Sequence, residues 1–223
     1  MLHKTRGIVF KYFKYRDTSI IVKIFTEEFG LQSYIVNGVR SVKSKGRIAL
    51  YQPLTLLDLV VYNKPNSGIN RIAEIKCSIP LQTIPYEILK SSIGVFIAEV
   101  LYKCIKEEGE VKDLFGFIHY SIEMLDHSED NYQNFHLQFL LKLTRYLGFG
   151  LSESDQFFHT SADEKMEKTI RTLLDERYTA KVNLNNKERR VLLDHILSFY
   201  KTQIDTIVEI KSINVLRAVL EDQ

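Results

Sequence analysis

The pattern of apolar residues changes near residue 80, and this change limits the folds that the 223-residue chain can adopt. Before it, short runs of β-branched and aromatic residues are separated by turn signals such as Asn37-Gly38, which is typical of strands. After Pro85, apolar residues recur at the three- and four-residue spacing of helices. The sequence therefore predicts an α+β chain with a β domain over residues 1–80 and an all-α domain over residues 81–223.

Five short strands are expected in the first domain, and this number suits a small closed or partly open barrel. The predicted strands are Gly7–Lys14, Ile20–Thr26, Leu31–Val36, Leu54–Tyr62 and Ile69–Ser78. An OB-fold barrel and an SH3-like barrel both have five strands, and the pattern alone leaves both open. The predicted helices are Tyr86–Lys106, Asp113–Leu125, Asn134–Leu147, Ser161–Asp175, Asn186–Lys201 and Ser212–Leu220. Asn134 is a candidate helix cap, and a capping-box pattern begins at Ser161.

Charge is distributed unevenly between the two domains. Residues 1–80 hold 13 Lys and Arg against 5 Asp and Glu, a net charge of +8, whereas the remainder carries −6 and the whole chain +2. A basic domain of this kind is the electrostatic footprint of a protein that binds a polyanion. A solvated surface with a chance excess of cations is the alternative.

The strongest basic motif is the segment Gly38 to Arg47, which reads GVRSVKSKGR. It carries Arg40, Lys43, Lys45 and Arg47 within eight positions, with two serine hydroxyls beyond Arg40 and no acid. Cations and hydroxyls of this kind are the groups that contact nucleic-acid phosphates. We expect the segment to be a loop between the third and fourth strands. Alone it indicates an anion and does not say which one.

Basic and aromatic residues also alternate in the first two strands. This pattern suits single-stranded nucleic acid, because bases stack on aromatic rings while cations follow the backbone. The candidate contacts are Lys11, Lys14, Arg16, Lys23, Tyr12 and Tyr15. Tyr12 and Tyr15 suit a stacking role and a barrel-core role equally, whereas Phe10 and Phe25 are expected in the core.

An ordered set of motifs in the first 80 residues resembles the N-terminal OB domain of the RecO recombination-mediator family. The motifs are Tyr15-Arg16-Asp17-Thr18, Phe25-Thr26, Gly30-Leu31, Asn37-Gly38-Val39-Arg40, Lys43-Ser44, Gln52-Pro53-Leu54 and Glu74. The helical part is similar in layout, including Leu147-Gly148-Phe149, but is less specific. The resemblance implies a five-stranded OB-fold barrel followed by a helical domain.

It also implies a function without catalysis. RecO-like proteins bind single- and double-stranded DNA, anneal complementary strands and, with RecR, help to load RecA onto DNA coated with single-strand-binding protein (SSB). DNA contact is thereby expected at Arg40 and Lys43, extended by Lys45 and Arg47. The acidic C-terminal tail of SSB would need an apolar slot rimmed by cations. One candidate slot is Phe139, Leu141, Lys142 and Arg145, and an ordinary amphipathic helix is the alternative interpretation.

No cofactor or metal is expected. Many members of the family carry a four-cysteine zinc module after the Leu-Gly-Phe stretch, but Leu151 to Asp163 contains no cysteine. The chain has two cysteines, Cys77 and Cys104, which are too few for a cysteine-based zinc site or a disulfide framework. A cytoplasmic, nucleoid-associated protein is the expectation. No apolar run approaches the roughly 20 residues of a membrane span, and no secretory signal pattern is present.

Two other functions remain open at this stage. The chain could be a protein-interaction module that uses the barrel as a scaffold, although a scaffold has no need of a charge of +8. It could also be a hydrolase, because His119, Glu123 and Asp126 share one helical face. The spacing of these three residues matches no known catalytic motif, which counts against an enzyme.

Overall fold

A computed structural model gives the fold of residues 1–44, 46–63, 68–105, 111–151, 164–178, 181–206 and 209–221, with only the backbone of Lys43. These residues form two compact units. Unit 1 comprises Met1–Gln82 and Ala98–Ile122, and unit 2 comprises Thr83–Ile97 and Glu123–Gln223. The domain boundary predicted at residue 80 stays a prediction.

Five strands close into a barrel in unit 1. They are β1 (Leu2–Tyr15), β2 (Ser19–Thr26), β3 (Gly30–Val36), β4 (Leu56–Tyr62) and β5 (Asn70–Ile79), in the order β1-β2-β3-β5-β4 with β4 back on β1. The pairs are antiparallel except β3 with β5, which is parallel. With the six helices that follow in the described residues, this confirms the predicted OB-fold barrel and helical region.

Strand β1 is long because it closes the barrel on two sides. Its first half pairs with β4, its second half pairs with β2, and a register shift between Val9 and Lys11 accompanies the change. Such an irregularity bends a strand and increases its twist, as closure requires. Gly7 lies where both partners meet, and a Cβ there would be 2.7 Å from side-chain atoms of Ile24 and Leu59. The close approach of these side chains therefore requires glycine at this position.

Three phenylalanines cover the outside of the barrel within unit 1. Phe10 and Phe25 stack with ring centroids 5.6 Å apart, and Phe25 lies 6.0 Å from Phe115, which is a helical residue of the same unit. Phe10 and Phe25 are buried, but they lie outside the cluster of residues that fills the barrel, so the expectation that they belong to the barrel core is wrong. The interior of the barrel is filled by other residues, including Val9, Val22, Ile24 and Tyr34.

Six helices follow the barrel in the described part of the chain. They are α1 (Ile88–Cys104), α2 (Lys112–His127), α3 (Phe135–Tyr146), α4 (Glu164–Asp175), α5 (Asn186–Gln203) and α6 (Ile213–Glu221). The predicted capping box from Ser161 lies outside the described residues. The structure contains one at α5 instead, where the Asn185 side chain accepts from the Glu188 amide and the Glu188 side chain accepts from the Asn185 amide.

The prediction that Asn134 caps α3 is wrong. Its side chain makes no capping bond, and instead its amide donates to the Val182 carbonyl at 2.7 Å and its carbonyl accepts from Arg189 at 2.9 Å. These long-range bonds use the groups that a cap would need. Among the helices of the described ranges, none combines the length and apolar character needed to cross a bilayer.

Candidate nucleic-acid interface

Arg40 connects the basic segment to the turn between β1 and β2. Its backbone N–H donates to the Thr18 carbonyl at 2.9 Å, and its guanidinium Nη1 donates to the Arg16 carbonyl at 3.2 Å. Gly38, with φ of 69°, supplies the left-handed turn that directs the chain from β3 toward this contact. Arg40 stays exposed, so the residue holds two basic loops together and still presents its charge to solvent.

The predicted loop is more ordered than the sequence indicated. It contains short 3-10 helices at Val42–Ser44 and Arg47–Tyr51. Ser41 donates from its hydroxyl to that of Ser44 at 3.1 Å. In the second helix Arg47 is exposed and Tyr51 is buried. Burial raises the pKa of Tyr51, and the charge of Arg47 partly opposes that rise. Lys45 lies outside the described residues, and the side-chain position of Lys43 is not described.

A basic and aromatic group lies at the end of the β1–β2 hairpin, and we call Lys14, Tyr15, Arg16 and Arg40 the turn cluster. The Arg16 guanidinium lies 5.2 Å from the centre of the Tyr15 ring, a distance at which cation–π attraction operates. Arg16 has φ of 49°, a left-handed conformation that is uncommon outside glycine. The bond from Arg40 to the Arg16 carbonyl holds this turn. Lys14 and Arg16 are exposed, whereas Tyr15 is half-buried.

Lys11 and Lys23 form a second basic pair on the outward face of the barrel. They are cross-strand partners in the β1–β2 register. Like charges at such positions repel, and an anion placed between them relieves this repulsion. The Lys11 ammonium lies 5.1 Å from the Phe13 ring centre and 5.6 Å from that of Tyr102, both within unit 1. Six of the ten residues predicted to contact DNA thus fall into the turn cluster and this lysine pair.

Tyr12 differs from the other candidates. It pairs with Val22, and it is half-buried against the cluster of apolar residues inside the barrel. Only part of its ring is available for a base to stack on. Its predicted role in DNA binding stays a prediction.

A groove on unit 1 was not indicated by the sequence pattern. Its volume is about 620 Å³, and its lining mixes the cations Lys4, Arg6 and Lys76 with four carboxylates. Four of these seven charged groups form two ion pairs: Arg6 contacts Glu27 at 2.7 Å, and Lys76 contacts Asp58 at 3.2 Å. The hydrogen bond from Arg6 lowers the pKa of Glu27. A groove with three cations and four carboxylates does not attract a polyanion as the turn cluster does.

Two of the four residues predicted to form a slot for an acidic tail are not on the surface. Phe139 and Leu141 are buried in the core of unit 2, with 0% and 1% of their surfaces exposed, so the part of the prediction that required them on the surface is wrong. The Lys142 ammonium donates to the Leu174 carbonyl at 2.5 Å, and burial lowers the pKa of this lysine. Of the four candidates, only Arg145 is fully exposed.

Of the three residues considered for catalysis, Asp126 makes hydrogen bonds that hold the backbone. The Asp126 carboxylate accepts from the backbone amides of Thr83 and Ile84 at 2.9 Å each. No group of three or more His, Cys, Asp or Glu residues suited to a metal ion occurs in the described part of the chain. Cys104 is buried, which raises the pKa of its thiol, whereas Cys77 is half-buried in β5.

Comparison with known proteins gives a consistent result along the chain. The family model for the recombination protein O N terminal matches residues 1–80, and that for the recombination protein O C terminal matches residues 85–165. The DNA repair protein RecO of Flavobacterium johnsoniae is 35% identical over 97% of this chain and 98% of its own length. That of Bacteroides fragilis is 44% identical over 66% of this chain and 61% of its own length. The protein of the same name from Azobacteroides pseudotrichonymphae is 30% identical over 99% of this chain and its own full length, 100%. The matched models and the full-length relatives together place this chain in the RecO family of DNA repair proteins.

Proposed function

We propose that this chain binds single- and double-stranded DNA through the basic surface of its barrel. The observation that carries the proposal is the double contact of Arg40 with the β1–β2 turn, through its amide to Thr18 and its guanidinium to Arg16. This contact holds the beginning of the basic segment, at Arg40, against the β1–β2 turn. Two basic loops that are separate in sequence then form one surface to which a phosphate backbone can bind.

Strand annealing follows from the same charge. Two complementary strands repel each other through their phosphates, and a surface that neutralises both strands lowers this barrier without reading any base. Lysines and arginines that bind the phosphates also release the counterions condensed on the DNA, which makes binding strongly dependent on salt. Tyr15, half-buried beside Arg16, is placed to add base stacking of ~1–3 kcal/mol per base. Because this mechanism makes and breaks no covalent bond, we propose a mediator and not an enzyme.

The wider role rests on family membership. We propose that the chain acts in DNA repair and recombination, in the cytoplasm and at the nucleoid. There it would cooperate with RecR and the SSB tail and would help indirectly to load RecA onto SSB-coated DNA. Since Phe139 and Leu141 are buried, any surface for the SSB tail must use other residues.

The test is fluorescence anisotropy of a labelled single-stranded oligonucleotide over a salt series. For about 6 contacted phosphates, log K should fall with log salt at a slope of about −4. The variant R40A/K43A/K45A/R47A removes four cations of the basic segment. If all four contact phosphates, its slope should become shallower by about 3 and its affinity at low salt should fall.

A matched control removes the same charge elsewhere. Lys168, Lys181, Lys187 and Lys201 are exposed on unit 2, and the variant K168A/K181A/K187A/K201A changes the net charge equally. The proposal requires the control to keep most of the wild-type slope. Equal losses in both variants would show that net charge and not the basic segment governs binding. Failure of the wild type to bind at low salt would overturn the proposal outright, and annealing rates of the three proteins should follow the same order.

A further inference from the structure

A small cavity in unit 2 contains buried polar groups with no hydrogen-bond partner. Its volume is about 20 Å³, and its lining includes His136 of α3, Arg189 and Arg190 of α5, and Arg217 and Glu221 of α6. This volume accommodates one atom of the size of a water oxygen. Both ring nitrogens of His136 and the Nε of Arg217 are buried and unpartnered among the described residues. Such groups are costly to bury, so a cavity beside them indicates a missing polar partner.

The charge around the cavity is positive. Its lining carries three guanidinium groups and one carboxylate, that of Glu221. Arg217 bonds to Asp194, and Arg190 contacts Glu221 at 3.3 Å. Two of the three guanidinium groups thus have a carboxylate partner, whereas the bonds of Arg189 among the described residues go to neutral oxygens. The cluster therefore keeps an excess positive charge, and the guanidinium fork matches the oxygens of phosphate.

Arg189 is the central group of this cluster. It is 9% exposed, and within the described residues its guanidinium donates to three neutral oxygens: Asn134 Oδ1, Asn186 Oδ1 and the Leu184 carbonyl. These neutral oxygens do not cancel the positive charge of the guanidinium, which is therefore not neutralised by a carboxylate. The charge of Arg189 acts on His136. The pKa of this imidazole is lowered to about 3, mainly by burial and in second place by the charge of Arg189.

His136 is fully buried, and its ring packs edge-on against Phe96 at 6.1 Å. The carbonyl of Gln133 lies near enough to oppose part of the pKa shift, but neither ring nitrogen meets hydrogen-bond geometry with a described partner. A neutral imidazole keeps one N–H group, and an anion oxygen in the cavity would accept a hydrogen bond from it.

We propose that this cavity is a phosphate site, with one oxygen inside, beside His136 and Arg217, and the remaining oxygens facing Arg190 at the mouth. Arg190 and Glu221 are exposed there, and a bound phosphate would replace the Glu221 carboxylate as the partner of Arg190. The chemistry is that of a phosphate group, supplied by the free ion or by a nucleic-acid backbone. The proposal is independent of the DNA interface on the barrel, because its residues all belong to unit 2.

The test is thermal unfolding of the full chain with inorganic phosphate replacing chloride at constant ionic strength and pH 7.5. A ligand that binds only the folded state raises Tm, here by about 2–4 °C at phosphate levels several times Kd. The double variant R190Q/R217Q should lose this rise. The variant K187Q should keep it, because Lys187 is exposed on the same helix and does not line the cavity.

Phosphate also stabilises proteins by exclusion from their surfaces, and the variants separate this effect from binding. An equal rise in wild type and R190Q/R217Q, or no rise in the wild type, would overturn the proposal. A baseline Tm in chloride shows whether the double variant is folded. If it is not, the single variant R190Q, which changes only an exposed side chain, carries the test and should reduce the rise.

Anisotropy with the labelled oligonucleotide then distinguishes the two sources. A DNA affinity of R190Q/R217Q several-fold below that of K187Q identifies a backbone phosphate as the ligand. An unchanged DNA affinity together with a lost phosphate effect identifies the free ion. Because the barrel interface is tested with its own variants, either of the two proposals can fail while the other stands.

Discussion

The burial of His136 predicts a loss of stability in mildly acidic solution. The pKa of this imidazole falls from 6.5 to about 3 in the folded protein, because burial and the charge of Arg189 disfavour its protonated form. Between these values the unfolded chain binds a proton that the folded chain does not bind. Stability is therefore retained above pH 6.5 and falls as the pH decreases below it.

The magnitude follows from the two pKa values. Each pH unit between them changes the free energy of unfolding by about 1.4 kcal/mol. From pH 7 to pH 5 the expected loss is about 2 kcal/mol, because only the part of the interval below pH 6.5 contributes. Protonation of carboxylates with a lowered pKa, such as that of Glu27, also destabilises the protein as the pH decreases. This effect begins only near and below their ordinary pKa of 4.5. The interval from pH 7 to pH 5 therefore reports mainly on histidine.

The assay is urea denaturation at pH 7, 6 and 5 at constant ionic strength, in buffers without phosphate. The chain has no tryptophan, so circular dichroism at 222 nm is the suitable signal. The variant H136F keeps an aromatic ring against Phe96 and removes the titrating group. It should lose about 2 kcal/mol less than the wild type between pH 7 and pH 5. The exposed His195 provides the control H195Q, which should behave as the wild type does.

One result would refute this reasoning. If the wild type and H136F lose the same free energy between pH 7 and pH 5, His136 does not titrate differently in the folded and unfolded chain. The burial and the positive surroundings described above would then not determine its protonation.

Three further substitutions test local packing and hydrogen bonding by urea denaturation at pH 7. Gly7→Ala should destabilise the barrel by about 1–3 kcal/mol, because the new Cβ would lie 2.7 Å from Ile24, and an unchanged midpoint would contradict the close approach. Asn185→Ala should cost about 1 kcal/mol by removing the capping box of α5, whereas substitution of a surface lysine should not. Tyr200→Phe should cost about 1 kcal/mol, because the tyrosine hydroxyl donates a buried 2.6 Å bond to a carbonyl of α3, and a neutral result would argue against that bond.

Apolar periodicity was sufficient to predict the strands and helices but not all their bounds. The predicted β1 begins at Gly7, whereas the strand begins at Leu2, because residues 2–6 mix polar and apolar side chains. They become a strand only by pairing with β4, more than fifty residues later. The 3-10 helices of the basic segment are too short to produce a periodic signal.

The position of the basic residues was predicted only in part. The sequence identified Arg16 and Arg40 as cations, but the bond between them joins residues 24 positions apart and depends on the β1–β2 hairpin. The signal that would have indicated this contact is the sharp turn on each side, Asp17-Thr18 and Asn37-Gly38. Both turns lie at the same end of adjacent strands, because β2 and β3 pair with Ile20 opposite Val36.

Helix α3 shows why the proposed tail site failed and why a different site is now inferred. An amphipathic pattern predicts one solvent-exposed face. However, nine of the twelve residues of this helix are buried, including the polar residues His136 and Gln138. The Gln138 amide donates to three backbone carbonyls, of Leu173, Glu176 and Arg177, so its burial is compensated. His136, two residues earlier, has no such partners among the described residues. Helix α3 thus satisfies Gln138 fully but leaves His136 without a hydrogen-bond partner among the described residues, beside an arginine-lined cavity. We infer from this difference that the partner of His136 is a ligand from outside the chain.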